Sequence, residues 1–132
     1  MGIRLKYGCV TMLLMIITSI SANGQSSVKK ETARASLKKW GIAYCISQVY
    51  VSNTSVRNPA GNACSAYLEL GSHTQDAYKV IEIYIKKYLK TKPYQSQFNK
   101  DLNLMKCLDL IENKVYNQKI IECDKWIITE KH

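Results

Sequence analysis

The sequence predicts an all-α fold, a small single-domain bundle of about four to five helices linked by disulfides. Three observations lead to this prediction. Apolar residues recur at three- and four-residue steps in several segments, whereas the two-residue alternation of strands is missing. Residues typical of helix starts and ends separate those segments. Four cysteines follow an export signal, and an even number in an exported chain favours disulfides.

The first 24 residues have the three parts of a secretory signal peptide. Arg4 and Lys6 precede the apolar run CVTMLLMIITSI, and Ala22 and Gly24 stand where a signal peptidase requires small residues. A membrane-spanning helix needs about 18 to 20 apolar residues, so this run is too short for one. We therefore expect residues 1–24 to be removed, and residues 25–132 to form one helical domain that does not contact the membrane.

The first helix is predicted over residues 29–50. Leu37, Trp40 and Tyr44 follow each other at steps of three and four, and Ser47 extends the same stripe. This spacing places them on one face of a helix, where large apolar side chains are typical of a core.

The second helix is predicted to begin with Asn58 as its N-cap and Pro59 at its first position. It ends at Leu70, because Gly71 can adopt the left-handed conformation that follows many helices. Ser72 and Gln75 are three residues apart, as in a capping box, so the third helix is expected to start at once.

The third helix extends to about residue 90 and is followed by a break. The segment KTKPYQSQFNKD contains Pro93 and has no apolar period, so it is predicted to be a protruding loop. The periodic pattern resumes at Leu102, is interrupted near Asn113, and continues over residues 116–128. Five residues on these stripes are predicted to be core: Trp40, Tyr44, Ile81, Tyr84 and Leu108.

Few residues are suited to catalysis or to metal binding. His73 lies in a predicted turn, where we expect it to be solvated, and a Cys–His pair would require a free thiol beside it. Glu69 and Asp76 flank a helix junction, which favours a role at helix ends. The cysteines lack the close pairs of a zinc site, so no metal or cofactor is predicted.

The charge is strongly positive, with 19 Lys and Arg against 10 Asp and Glu. The lysines are spread over all helices, which does not favour nucleic acid as a partner. In an exported protein this charge favours an acidic protein or an anionic envelope polymer. The residues therefore indicate a binding module and not an enzyme. One alternative is a lysozyme inhibitor or an envelope adaptor.

Five segments in one order resemble the type VI secretion amidase immunity proteins of the fourth family. They are LKKWGIAYC (37–45), SAYLELG (65–71), DAYKVIEIYIKKYL (76–89), KPY (92–94) and LMKCLDLIENK (104–114). The resemblance implies a periplasmic antitoxin, often homodimeric, that binds a secreted peptidoglycan amidase. Such a toxin is a papain-like cysteine hydrolase, and the immunity protein occludes its active site with a loop between two helices.

By position, residues 91–101 correspond to that loop. Two aromatic side chains there flank short polar ones, which suits the filling of a groove, and lysines at both ends favour an acidic rim. The predicted toxin-binding residues are Lys92, Pro93, Tyr94, Gln95, Ser96, Gln97, Phe98, Asn99 and Lys100.

Four cysteines allow three disulfide pairings, and the residues alone leave all three open. Cys45 and Cys107 lie in segments that carry the family resemblance, whereas Cys64 and Cys123 do not match the family pattern. The resemblance therefore implies the bridges Cys45–Cys107 and Cys64–Cys123.

Overall fold

The computed structural model describes residues 21–91, 94 and 102–129. Most of the predicted signal peptide and most of the predicted loop lie outside these ranges. The chain divides into two units, residues 1–31 and 32–132. Within the first unit, the described residues 21–31 are helical. All contacts reported below lie within the second unit.

The described residues form five α-helices, which confirms the all-α prediction. The helices are α1 (Ser21–Val49), α2 (Thr54–Glu69), α3 (Gln75–Leu89), α4 (Asn103–Leu108) and α5 (Lys114–Glu122). Short 3₁₀ helices, Asp109–Ile111 and Cys123–Trp126, continue α4 and α5. None of the described helices combines the length and the apolar character needed to cross a bilayer.

The core lies where α1, α3 and α5 meet. Ile81 and Ile85 of α3 and Tyr116 of α5 are fully buried. Gly41 allows this close packing, because a Cβ atom at that position would lie 2.9 Å from Cγ2 of Ile81 and would also clash with the Tyr116 hydroxyl. That hydroxyl donates a 2.8 Å hydrogen bond to the carbonyl oxygen of Lys38.

The predicted core residues are placed correctly with one exception. Trp40 and Ile81 are buried, and Tyr44 and Tyr84 are partly buried against the core. Leu108 is exposed, so that prediction is wrong. The helix α4 buries Cys107 instead, and Leu110 in the following 3₁₀ helix is also buried. The spacing identified an apolar face on this segment but not the face that packs inward.

One of the two predicted disulfides is present. Cys45 of α1 and Cys107 of α4 are bonded, with their Cα atoms 5.6 Å apart, and the bridge closes a loop with a sequence separation of 62. In the chain-entropy model such a loop contributes about 4 kcal/mol to stability. Cys64 and Cys123 are free, so the second predicted bridge is wrong.

The two free thiols contact different backbone groups. Cys64 donates to the carbonyl of Trp40 in α1, whereas Cys123 donates to the carbonyl of Ala77 in α3, both at 3.9 Å. Burial raises the pKa of each thiol to about 11. Both therefore remain protonated near neutral pH, and each thiol fills a separate packing site.

The predicted start of α2 is also wrong. The helix begins at Thr54, so Pro59 lies inside it and not at its first position. The backbone of Asn53 accepts the first helical bonds, from Val56 and Arg57 at 3.1 and 2.9 Å. The segment assigned to a turn thus forms the first turn of the helix, and Pro59, which has no N–H, donates no helical hydrogen bond.

The junction between α2 and α3 differs from the predicted capping box. Thr74, and not Ser72, is the N-cap of α3. The turn instead pairs with the C-terminal segment: the Thr74 amide donates to Trp126, and the Ile128 amide donates to Ser72. Gly71 serves a close contact and not a left-handed turn, since a Cβ atom there would lie 2.7 Å from the Tyr67 carbonyl oxygen.

His73 lies between these two hydrogen bonds and forms an antiparallel bridge with Ile127. Only 5% of its surface is exposed, so the prediction of a solvated turn histidine is wrong. The pairing with the C-terminal segment covers the side chain, and that contact between residues distant in sequence is not visible in the local pattern.

Candidate functional site

Lys106 supports the point where the chain leaves α3 for the predicted loop. Its ammonium group donates to the carbonyl oxygens of Leu89 and Thr91, at 3.2 and 3.0 Å. The end of a helix has carbonyl groups without helical partners, and a cation there also interacts favourably with the helix dipole. Lys106 is 3% exposed, and this burial lowers the pKa of its ammonium group. The lysine therefore acts as an internal cap for α3.

Tyr88 of α3 forms a second connection between α3 and α4. Its hydroxyl donates to the carbonyl oxygen of Lys106 at 3.0 Å, and its ring lies 5.5 Å from the Lys106 ammonium group. Cys107 follows directly and is bonded to Cys45 of α1. We call Tyr88, Lys106 and Thr91 the loop base. The disulfide and these bonds fix both helices from which the loop departs.

Among the nine predicted toxin-binding residues, Tyr94 lies inside the described ranges. Its hydroxyl donates a 2.7 Å hydrogen bond to the carboxylate of Asp109, in the 3₁₀ helix after α4. This bond raises the pKa of the Tyr94 hydroxyl. The residue remains 38% exposed. The Tyr94 side chain is thus bound to the 3₁₀ helix after α4, and part of its surface faces solvent.

The other eight predicted toxin-binding residues lie outside the described ranges: Lys92, Pro93, Gln95, Ser96, Gln97, Phe98, Asn99 and Lys100. Sequence reasoning did not identify Lys106 or Asp109 as supports for this loop. The signal was a single lysine within the otherwise apolar stretch LMKCL, since a charged residue on an inward-facing position requires polar partners. The partners here are backbone carbonyls, which no sequence pattern indicates.

The helix α4 is apolar on two sides. Its inward side carries Cys107, and its outward side has side chains that are 43–49% exposed. We call this outward side, together with the adjoining Ile111 of the following 3₁₀ helix, the α4 face, and its residues are Leu104, Met105, Leu108 and Ile111. A helix that is apolar all round is normally covered all round. The α4 face follows the predicted loop directly in sequence. It includes Leu108, which precedes Asp109, and the Asp109 carboxylate accepts the hydrogen bond from Tyr94.

The residues considered for catalysis contact different parts of the fold and do not form one site. His73 is buried beside Tyr78, with the ring centroids 6.5 Å apart, and the free thiols donate to backbone carbonyls elsewhere. Glu69 ends α2, and Asp76 lies in the first turn of α3, where an acidic residue matches the helix dipole. In the part of the chain that the structure describes, no three His, Cys, Asp or Glu side chains are grouped to hold a metal.

Residues 35–120 match the family Tai4, which is described as a type VI secretion system (T6SS) amidase immunity protein. This range includes α2, α3, α4, both bridged cysteines and the whole predicted loop. A comparison with curated proteins finds no match.

Proposed function

Since the chain belongs to the Tai4 family of type VI secretion amidase immunity proteins, we propose that it inhibits a secreted peptidoglycan amidase by occlusion. In this proposal residues 91–101 enter the catalytic groove of the amidase and exclude its substrate. The immunity protein performs no chemistry, so the inhibition depends on the fit and the rigidity of the inserted segment.

The loop base is the observation that supports this proposal most directly. The buried ammonium group of Lys106 binds the last turn of α3, and the next residue, Cys107, is bonded to α1. Both helices that carry the loop are thereby fixed relative to each other. A segment presented from a rigid frame loses less conformational entropy on binding, which increases its affinity.

The residue types of the loop suit a groove that contains a catalytic site. Tyr94 and Phe98 are aromatic anchors of the kind that dominate binding hot spots. The amides and the hydroxyl of Gln95, Ser96 and Gln97 can form hydrogen bonds with the polar groups of a hydrolase groove. The Tyr94 hydroxyl already binds Asp109, so we assign the anchoring role to its exposed ring.

We also propose that the chain acts in the periplasm, after residues 1–24 have directed its export. The Cys45–Cys107 disulfide supports this location, because disulfides persist in oxidising compartments. A peptidoglycan amidase acts in that compartment as well, so toxin and inhibitor would meet there.

Inhibition assays with loop variants test the proposal. Deletion of residues 95–99, or the substitution Ser96→Trp, should abolish inhibition of the purified cognate amidase. Thermal melting should stay near that of the wild type, because the loop base lies outside the altered residues. The matched control is Ser52→Trp, which places the same side chain in the exposed turn between α1 and α2 and should inhibit fully. Full inhibition by the deletion variant would show that residues 95–99 do not occlude the site.

The family resemblance further leads us to propose a homodimer, with the α4 face as its interface. Four partly exposed apolar side chains on one side of a short helix support this proposal. In sedimentation experiments, the wild-type chain should form dimers, and Leu108→Glu should shift it to monomers that keep the helical circular dichroism of the wild type and whose melting temperature no longer depends on protein concentration. A dimer that persists in this variant would place the interface elsewhere.

A further inference from the structure

A polar pocket of about 590 Å³ lies between the end of α1 and the first half of α2. Its volume is within the range of small-molecule sites. The described lining residues are Ser47, Gln48, Arg57, Asn58, Gly61 and Asn62. They provide one guanidinium, three carboxamides and one hydroxyl, so the pocket suits a ligand that forms several hydrogen bonds.

Gly61 provides the room for a ligand. A glycine inside a helix is less favourable than alanine, so close packing is the usual reason to find one there. That reason holds at Gly41, where a Cβ atom would lie 2.9 Å from Cγ2 of Ile81. Apart from its chain neighbours and its own helix backbone, a Cβ atom at Gly61 would have no atom within 4 Å. Packing therefore does not explain Gly61, and the space beside it belongs to the pocket.

The α1 side of the pocket is held in place by covalent and hydrogen bonds. Ser47 is 9% exposed, and its hydroxyl donates a 2.7 Å hydrogen bond to the carbonyl oxygen of Tyr44. The amide nitrogen of Gln48 donates to the same hydroxyl oxygen at 3.5 Å. Cys45, two residues before Ser47, is bonded to Cys107. Groups that are fixed before a ligand arrives lose less entropy when it binds.

Arg57 determines the charge of the pocket. Its side chain is exposed, and none of the ion pairs among the described residues includes it. A planar guanidinium binds a carboxylate through two parallel hydrogen bonds. Because the described lining contains a single cation, a singly charged carboxylate matches it better than a phosphate group, which carries about two charges at neutral pH.

The three carboxamides favour a peptide bond next to that carboxylate. Each of Gln48, Asn58 and Asn62 has both a hydrogen-bond donor and an acceptor. Asn58 and Asn62 are four residues apart on α2, so they are neighbours on one face of the helix. A peptide bond presents one N–H and one C=O group, and both can be paired with such side chains.

We propose that this pocket binds the carboxyl end of a short peptide. The guanidinium of Arg57 binds the terminal carboxylate, and the carboxamides bind the peptide bond before it. This site is independent of the proposed amidase inhibition, because its lining belongs to α1 and α2 and not to the loop. Such carboxyl ends have two sources in the cell envelope: stem peptides of the wall end in D-amino acids, and protein chains end in L-amino acids.

Nuclear magnetic resonance titrations of the purified chain with N-acetyl-alanyl-alanine test the proposal. The dipeptide should bind saturably and shift the side-chain amide signals of Gln48, Asn58 and Asn62. Three probes should each bind at least about tenfold more weakly: the dipeptide with an amidated carboxyl end, acetate, and inorganic phosphate. Binding of either the L,L or the D,D form supports the proposal, and the tighter of the two identifies the source of the ligand.

Two variants with matched controls assign the binding to this pocket. Arg57→Gln should weaken it at least about tenfold. Its control is Lys79→Gln, which removes an exposed charge of α3 and should bind within about twofold of the wild type. Gly61→Leu should fill the pocket and abolish binding without lowering the melting temperature, because leucine favours a helix more than glycine does. Its control is Ala66→Leu, at an exposed position of α2 outside the described lining, which should bind like the wild type.

Several results would overturn the proposed pocket. They are the absence of saturable binding of both dipeptide forms, binding of acetate or phosphate as tight as that of the dipeptide, and unchanged affinity in Arg57→Gln. Equal losses in the variants and their controls would also overturn it. None of these results bears on the proposed inhibition of an amidase, which the loop variants test separately.

Discussion

The helices α2 and α3 are consecutive and almost equal in length, with 16 and 15 residues, yet they contribute differently to the fold. The helix α3 buries four residues: Ala77, Tyr78, Ile81 and Ile85. The helix α2 buries Ala60 alone. Length and helical propensity thus do not indicate how strongly a helix is held.

The difference arises from the position of each helix. The helix α3 packs against both α1 and α5, as the neighbours of Gly41 show, so its inward residues are surrounded. The helix α2 is held by two side-chain hydrogen bonds. The Cys64 thiol donates to the Trp40 carbonyl of α1, and the Tyr78 hydroxyl of α3 donates to the Tyr67 carbonyl at 3.4 Å. We infer that α3 stabilises the domain and that α2 lies at its edge.

Truncation of one apolar side chain in each helix should sharpen this comparison. Ile81→Ala, in the core contact of α3, should lower the free energy of unfolding by about 2–5 kcal/mol through lost burial and a cavity. Leu68→Ala, at a position of α2 that is 46% exposed, should change it by less than about 0.5 kcal/mol. Urea unfolding of both variants measures this. Equal losses would show that α2 is as much a part of the core as α3.

Most of the fold could be predicted because the apolar period is a local property. The stripes of α1 and α3 extend over several turns, so errors at single positions do not change the face that they define. The interruption near Asn113 was also predictable. Asn113 is the N-cap of α5, and its side chain accepts a hydrogen bond from the amide of Tyr116. A capping residue has a physical role that can be read from the sequence.

The errors involve contacts between residues distant in sequence. The helix α4 has six residues and apolar side chains on two sides, so spacing could not decide between Leu108 and Cys107 as the inward residue. The pairing of Cys64 with Cys123 depended on a family pattern, and both thiols lie against other parts of the backbone. Neither the inward residue of α4 nor the free state of the two thiols is specified by neighbouring residues in the sequence.

The candidate site was predictable only in outline. The break in periodicity and Pro93 predicted a loop after α3, and the family resemblance predicted its role; most of this segment lies outside the described residues. Its support was not predictable, because Lys106 binds main-chain carbonyls that every residue possesses.

The turn that joins α2 and α3 contains His73, a buried titratable side chain. Both ring nitrogens of His73 lack a hydrogen-bond partner among the described residues. Burial lowers the pKa of His73 from its ordinary value of 6.5, and the nearby Asp124 carboxylate opposes this effect without reversing it. Asp124 is itself engaged by the guanidinium of Arg34, with Nε to Oδ1 at 2.8 Å. The folded domain therefore favours the neutral imidazole.

This preference predicts a loss of stability in acid, smaller than the loss expected for Ile81→Ala. The unfolded chain binds a proton near pH 6.5, whereas the folded chain binds it only at lower pH, so stability is fully present above pH 6.5 and decreases below it. One proton contributes at most about 1.4 kcal/mol per pH unit. In urea unfolding measured from pH 7.5 to 5, His73→Phe should reduce the slope of the unfolding free energy against pH, since an apolar ring fills the site without titrating.

The matched control is His132→Gln, which removes the other histidine of the chain and should keep the slope. A slope that persists in His73→Phe, or disappears in His132→Gln, would assign the acid sensitivity to another group and leave the turn between α2 and α3 without a special role.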